Sequence, residues 1–141
     1  MKIYLASPFF NEKELKHVAM LERILRTQGH TVFSPREEQL PEFEFGSYEW
    51  RTNVFRNDLN HIKWCDAIVS IIGDNYDDTG TAWEMGAGYI LGKPVYLYNP
   101  TGNIINLMLT DSIHGYFESL RAIQRYDFET AKPIPYMKEV K

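Results

Sequence analysis

Carboxylates cluster around one stretch of the chain, Asp66 to Leu91, which reads DAIVSIIGDNYDDTGTAWEMGAGYIL. Within it, an apolar run rich in isoleucine and valine, Ala67 to Ile72, predicts a strand that is covered on both faces, as in a parallel sheet. Turn-forming residues follow, among them Asp77 and Asp78. The next segment has the apolar spacing of a helix, and this helix carries Glu84.

These carboxylates are predicted to lie at a ligand-binding edge. In an open parallel sheet, ligands bind beyond the carboxyl ends of the strands, so Asp77, Asp78 and Glu84 should border such a crevice. The alternative is that Asp78 or Thr79 caps the helix and that Glu84 lies on its solvated face. The neighbours of Glu84 are apolar or small: Trp83, Met85, Gly86 and Gly88. Such surroundings favour a carboxylate that is held in a pocket.

Length and composition limit the class of protein. The 141 residues are predicted to form one domain, residues 1–141, with one active site. No apolar run approaches the roughly 20 residues that cross a bilayer. The amino-terminal segment has the pattern of a strand rather than of a secretory signal, so we predict a cytoplasmic protein. A net charge of -4 without a basic stripe argues against nucleic acid as a partner.

The sequence predicts neither a metal site nor a bound cofactor. Cys65 is the single cysteine, which excludes an intrachain disulfide and a cysteine-based zinc site. The four histidines lack ligand spacing: His17, His30, His61 and His114. The segment GTAWEMGAG lacks the lysine of a P-loop and the early glycine spacing of a dinucleotide fingerprint. Carboxylates, an aromatic side chain and amides remain, which suit glycosyl transfer through a covalent sugar–carboxylate intermediate.

Strands and helices alternate along the chain. The predicted strands are 2–6, 31–34, 67–72 and 95–98, and the predicted helices are 12–27, 48–64 and 81–91. This order is typical of an α/β protein with a single-domain parallel sheet, Rossmann or flavodoxin-like, flanked by helices on both faces. A further helix is predicted from about Asp111 to Ile123.

Several segments allow two interpretations. Phe9 and Phe10 follow the first strand, and either both are core residues or one of them lines a pocket and stacks on a planar ligand. The acidic segment 35–47 is either a lid over the site or a loop packed on the surface. The apolar run 104–109 indicates either a subunit contact or core packing. The tail beyond Pro133 is expected to be extended and to dock on a neighbour.

Similarity to a known family rests on four segments. They read KIYLASPFF, RNDLNHIKWCDAI, DDTGTAWEMGAGY and INLM. In combination they resemble the nucleoside 2-deoxyribosyltransferase family over nearly the whole chain. The resemblance implies transfer of 2-deoxyribose between purine or pyrimidine bases, with a deoxynucleoside and a free nucleobase as substrates. It also implies a homo-oligomer, commonly a hexamer.

The resemblance implies roles for eight residues. Glu84 corresponds to the nucleophile, Tyr4 to the tyrosine that orients it, and Asp58 to an acid at the base-binding end. Asp78 corresponds to a carboxylate that holds deoxyribose hydroxyls. The other four are two base-contacting residues and two residues donated by an adjacent subunit: Phe9 and Gln39, then Asn106 and Met108. Some members have a tryptophan in place of Phe9, which gives a larger stacking surface.

The hypothesis for the mechanism is ping-pong: Glu84 attacks C1′, the base leaves with a proton supplied through Asp58, and an incoming base attacks the glycosyl-enzyme. If water wins that second attack, the protein is a nucleoside or nucleotide N-glycosidase. The loop SPFF offers no basic residue or glycine-rich nest for a 5′-phosphate, which argues against the nucleotide version. A third possibility is a non-catalytic nucleotide-sensing module. Asp58 also has a plainer interpretation, as an ordinary acid on a helix surface.

Overall fold

The computed structural model describes residues 1–72 and 78–141, and the strands among them form one parallel sheet in the order β2-β1-β3-β4-β5. The strands are β1 Lys2–Ala6, β2 Thr31–Phe33, β3 Ala67–Ile71, β4 Val95–Tyr98 and β5 Gly115–Phe117. The helices are α1 Glu12–Thr27, α2 Tyr48–Trp64, α3 Thr79–Ile90, α4 Leu107–Thr110 and α5 Leu120–Arg125, and a 3-10 turn spans Pro35–Glu37.

Alternate residues of each strand pack against different helices. On β1, Ile3 and Leu5 join a core that includes side chains from α1 and α5. Tyr4 and Ala6 point the other way, into a core with side chains from α2, α3 and α4. This alternation follows from the two-residue period of a strand. The predicted α/β fold, with a parallel sheet and helices on both faces, is confirmed.

Helix and strand boundaries were predictable where one pattern persists. Both α2 and β4 span the predicted residues, and Asn11 caps α1 by accepting a hydrogen bond from the Glu14 amide. The predicted helix 111–123 is wrong, because this segment contains β5 and only the first turn of α5. β5 has three residues, and Gly115 at its start lies against the Tyr96 ring of β4. Its conformation therefore depends on pairing with β4 rather than on a local pattern.

The carboxyl-terminal tail packs on its own chain. Isolated parallel bridges join Ile105 to Val140 and Gly115 to Ile134. The Leu107 amide donates to the Lys141 carbonyl at 2.9 Å. These contacts hold the tail against its own chain, and its docking on a neighbour stays a prediction. None of the helices formed by the described residues has the length and apolar character that crossing a membrane requires.

Gly88 allows α3 to lie close against β3. A Cβ atom at this position would be 2.0 Å from Ile68 Cδ1 and 3.1 Å from Ile68 Cγ1, and Ile68 is fully buried. At Gly86 in the same helix, a Cβ atom would meet nothing within 4 Å. The distance between α3 and the sheet thus depends on the missing side chain at position 88.

We expect Gly88→Ala to lower the free energy of unfolding by about 1 to 3 kcal/mol, because the added methyl overpacks the core. Gly86→Ala is the matched control and should be neutral or stabilising by up to about 1 kcal/mol through helix propensity. Urea denaturation at one protein concentration measures both values. Equal midpoints for the two variants would contradict the close approach at Gly88.

Candidate active site

Glu84 lies on the inner side of α3 and not on its solvated face. Its Oε2 atom is buried and makes no hydrogen bond within the described part of the chain. The pKa of Glu84 is raised to about 8: burial is the main cause, the Tyr4 hydroxyl opposes the shift, and the nearby charges of Asp58 and Asp78 add to it. The alternative of a solvated Glu84 is therefore wrong.

Tyr4 brings a hydroxyl group from β1 to this carboxyl. Its Oη atom is buried and meets hydrogen-bond geometry with no group of residues 1–72 or 78–141, although it lies near enough to Glu84 to affect the pKa of that carboxyl. Burial and the charges of Glu84 and Asp58 raise the pKa of Tyr4 far above its ordinary value. The tyrosine is therefore a neutral hydrogen-bond donor at every physiological pH.

Asp58 reaches the same cluster from α2. Its Oδ1 atom is buried and has no hydrogen-bond partner among the described residues, so it is not an ordinary acid on a helix surface. Burial raises the pKa of Asp58 to about 7. Asp58 and Glu84 are thus two neighbouring carboxyl groups, each with one buried oxygen, whose pKa values are both raised toward neutrality. Such a pair can hold one proton and one negative charge at the same time.

Asp78 joins the cluster from the start of α3, where it is the N-cap. Its Oδ2 atom accepts hydrogen bonds from the Thr81 amide and hydroxyl, each at 2.8 Å. The predicted alternative of a helix cap is confirmed for this residue. Capping leaves Asp78 further lone pairs for a ligand. Asp77, which was predicted to border the same crevice, lies outside the described residues.

The two predicted base-contacting residues lie in loops. Gln39 follows the 3-10 turn, its Nε2 atom donates to the Pro35 carbonyl at 2.5 Å, and its own carbonyl accepts from Trp50 Nε1 at 2.9 Å. Phe9 is half-buried, packs on the core that α1 covers, and stacks on the exposed Phe10 at 5.6 Å between ring centroids. Contact of Gln39 or Phe9 with a base stays a prediction.

The residues predicted for a neighbour's site lie at the start of α4. Asn106 is exposed and caps this helix by accepting from the Met108 amide, and the Met108 side chain is 72% exposed. The surrounding apolar run divides in two. Ile105 and Leu109 belong to the core of the chain, whereas Leu107 and its neighbours Ile104 and Met108 are exposed. Core packing and an uncovered apolar surface therefore both occur here.

Phe33 supports the site, although no role for it is predicted from the sequence. The parallel register pairs Tyr4 with Phe33, and their rings stack at 5.5 Å between centroids. On its other side, Phe33 stacks on the His61 ring at 3.7 Å. These contacts restrict the orientation of the Tyr4 ring. The only signal in the sequence is that both residues lie on short strands that can pair with each other.

The site combines two carboxyl groups, each with one buried oxygen, with a neutral hydroxyl donor on one face of a parallel α/β sheet. A carboxyl pair that can divide the roles of nucleophile and acid is what carboxylate-based glycosyl transfer requires. These features define a class of glycosyl-transferring enzymes. A family model described as nucleoside 2-deoxyribosyltransferase matches residues 3–119, and the chain belongs to this family.

Individual relatives agree with this assignment. The chain is 69% identical to a 2-deoxyribosyltransferase of solved structure from the psychrotolerant bacterium Bacillus psychrosaccharolyticus, with a TM-score of 0.94 over 97% of this chain and 100% of that one. A nucleoside deoxyribosyltransferase from Limosilactobacillus fermentum is 28% identical over 97% of this chain and 93% of its own length. A CMP N-glycosidase from Clostridium botulinum, 20% identical with a TM-score of 0.62 over 89% of this chain and 96% of that one, is similar in fold alone.

Burial of the Glu84 carboxyl should make stability depend on pH. The unfolded chain loses this proton near the ordinary pKa of about 4.5, but the folded chain keeps it up to about pH 8. Stability therefore falls as the pH rises through this window, and the loss is complete above it. Glu84→Gln removes the effect, so the variant should gain roughly 2 to 4 kcal/mol over the parent between pH 5 and pH 8.

Denaturant titrations at several pH values measure this gain. Glu49→Gln is the matched control because Glu49 is exposed on α2, and it should follow the parent at each pH. A constant difference between Glu84→Gln and the parent across this range would contradict the raised pKa.

Proposed function

We propose that the protein transfers the 2-deoxyribosyl group between purine and/or pyrimidine bases by a ping-pong mechanism with a covalent deoxyribosyl-Glu84 intermediate. The observation that carries this proposal is the buried Glu84 carboxyl, whose Oε2 atom has no hydrogen-bond partner among the described residues and lies near Tyr4 and Asp58. Membership of the nucleoside 2-deoxyribosyltransferase family supports the same reaction. No metal or cofactor has a role in this proposal.

In the first half-reaction, a Glu84 carboxylate oxygen forms a bond to C1′ as the bond from C1′ to the base nitrogen breaks. The leaving base takes a proton supplied through Asp58. Attack therefore needs Glu84 ionised and Asp58 protonated. The pKa values of about 8 for Glu84 and about 7 for Asp58 favour the reverse arrangement by roughly tenfold, so the reactive arrangement is a minor but accessible state at neutral pH. The nearby Tyr4 hydroxyl is proposed to donate a hydrogen bond to Glu84 during attack, because such a donor stabilises the carboxylate.

In the second half-reaction, a nitrogen of the incoming base attacks C1′ and releases Glu84, while Asp58 takes back a proton. Water competes for the same intermediate and would give free deoxyribose. Asp78 is proposed to hold the sugar hydroxyls, which its place beside Glu84 supports. Phe9 and Gln39 are proposed to contact the base. Their position in loops after β1 and β2, at the carboxyl ends of the strands, supports this role.

A homo-oligomer, by prediction a hexamer, is proposed to complete each site, with Asn106 and Met108 donated to a neighbour. An uncovered apolar groove of about 660 Å³ between α3 and α4 supports assembly. Its lining includes Trp83, Tyr89, Ile90, Leu107 and Met108, and Ile90 is 81% exposed. A cytoplasmic location also stays a prediction.

Incubation of the protein with deoxyinosine and adenine tests the reaction directly. Chromatography follows both bases and both deoxynucleosides. Formation of deoxyadenosine together with hypoxanthine is the expected result. Hypoxanthine and free deoxyribose without deoxyadenosine would identify a hydrolase instead, and binding without turnover would identify a sensing module.

Glu84→Gln and Glu84→Ala should each reduce transfer to below about 1% of the parent rate, because the nucleophile of a covalent mechanism is lost. Asp58→Asn is the contrasting variant, since it removes proton donation but keeps attack. It should slow donors with poor leaving groups more than donors with good ones. Initial rates for a series of bases, with circular dichroism to check folding, measure both effects. Substantial transfer by Glu84→Ala would refute its role as nucleophile.

Leu107→Asp and Ile90→Asp should dissociate the oligomer and lower transfer together, because each places a charge on the uncovered apolar surface. Met20→Asp is the matched control. Met20 is also an exposed apolar residue, but it lies on α1, which covers the opposite face of the sheet. Sedimentation and transfer assays on one preparation measure both properties. A fully active monomer would argue against a site shared between subunits.

A further inference from the structure

A charged network joins α1 to the 3-10 turn after β2. Glu22 of α1 accepts hydrogen bonds from Arg36 Nε at 2.6 Å and Arg36 Nη2 at 2.5 Å, and from the Ser34 hydroxyl at 2.8 Å. Glu22 is only 3% exposed. A buried carboxylate loses its hydration, and these three donors replace it. The two-pronged contact with Arg36 therefore holds the turn against the helix in one geometry.

A second ion pair lies beside the first and nearer to solvent. Arg26 of α1 donates to Glu37 of the turn at 2.6 Å and 3.1 Å, and this contact holds the pKa of Glu37 below its ordinary value. Both side chains are more than a third exposed, so water weakens the pair. The pair of the buried Glu22 and the partly buried Arg36 is accordingly the stronger link between α1 and the turn.

The 3-10 turn provides a hydrogen-bond acceptor for the Gln39 side chain. The Pro35 carbonyl accepts the hydrogen bond from Gln39 Nε2, and Pro35 directly precedes Arg36 in the chain. On the other side, Trp50 of α2 donates to the Gln39 carbonyl. The Gln39 side chain is thus hydrogen-bonded to Pro35, the residue next to Arg36. The network takes no part in the carboxylate chemistry proposed for Glu84 and Asp58.

We propose that Arg36, held by Glu22, is a positioning residue for base recognition. It fixes the position of the turn whose Pro35 carbonyl binds the Gln39 side-chain amide, so the amide is held in one orientation toward the base. The inference rests on the proposed contact between Gln39 and the base. Small misplacements of a positioning group cost affinity for the part of the substrate that it orients. Loosening the turn should therefore weaken binding of the base and leave the glycosyl chemistry nearly unchanged.

Arg36→Lys tests this inference, because lysine keeps the charge but cannot make the two-pronged contact. We expect the KM for the acceptor base to rise roughly tenfold, with kcat at saturating base changed less than twofold. Arg125→Lys, at an exposed position of α5, is the matched control and should leave both constants unchanged. Glu22→Gln should raise the KM in the same direction, and it serves if Arg36→Lys does not fold.

A double-mutant cycle with Gln39→Ala separates positioning from general stability. If Arg36 acts through Gln39, Arg36→Lys should leave the KM for the base unchanged in the Gln39→Ala background, while it still lowers the Tm. Additive effects on the KM, or a lower Tm without any change of the KM, would overturn the inference. If Gln39→Ala alone leaves the KM unchanged, the inference fails with the role of Gln39. Continued formation of deoxyadenosine by that variant would show that the proposed reaction stands.

Discussion

Removal of water from the Glu84 carboxyl is the constraint on which the rest of the structure depends. A carboxylate inside a protein costs several kcal/mol unless donors or opposite charges replace its hydration. The described residues offer Glu84 one neutral hydroxyl, from Tyr4, and two further acids, Asp58 and Asp78. The site is therefore short of positive charge. In the proposed reaction, the sugar has cationic character in the transition state and supplies the missing positive charge. The carboxylate is therefore stabilised more in the transition state than in the ground state.

Three secondary structure elements have to meet on one face of the sheet to build this site. β1 supplies Tyr4, α2 supplies Asp58, and α3 supplies Glu84. Gly88 keeps α3 close to β3, and Phe33 stacks on Tyr4 from the neighbouring strand. None of these contacts joins residues that are close in the chain. The chemistry is thus a product of tertiary packing, and the site forms only when the sheet and both helices are in place.

This dependence on packing explains what the sequence could and could not predict. The periodic patterns of α2 and β4 gave their boundaries, and the small apolar neighbours of Glu84 indicated its pocket. The burial of Asp58 was undecided, because it depends on how α2 packs beside α3. β5 was missed since three residues carry no period, and their conformation follows from pairing with β4.

The same limit applies to the apolar run that contains Asn106. Its composition indicated burial but not which partner buries it. The structure sends Leu109 into the core of its own chain and leaves Leu107 exposed, although only one residue separates them. A helix directs residues two positions apart to different sides, so a short apolar run can serve the core and an outer surface together. The apolar pattern of a four-residue helix is too short to show which residues enter the core and which face outward.

The alternation of side chains along β1 has a consequence for engineering the enzyme. Ile3 and Leu5 pack under α1 and α5, while Tyr4, between them, belongs to the reactive face. The layer of α1 and α5 therefore contributes cohesion without contacting the buried acids. Repacking that layer for heat tolerance can proceed separately from tuning of selectivity, as long as the Glu22 contact at its edge and the packing of Phe9 on it are kept. Thermal stability and turnover often trade off when one core determines both. In this fold they depend mainly on two different cores, one on each face of the sheet.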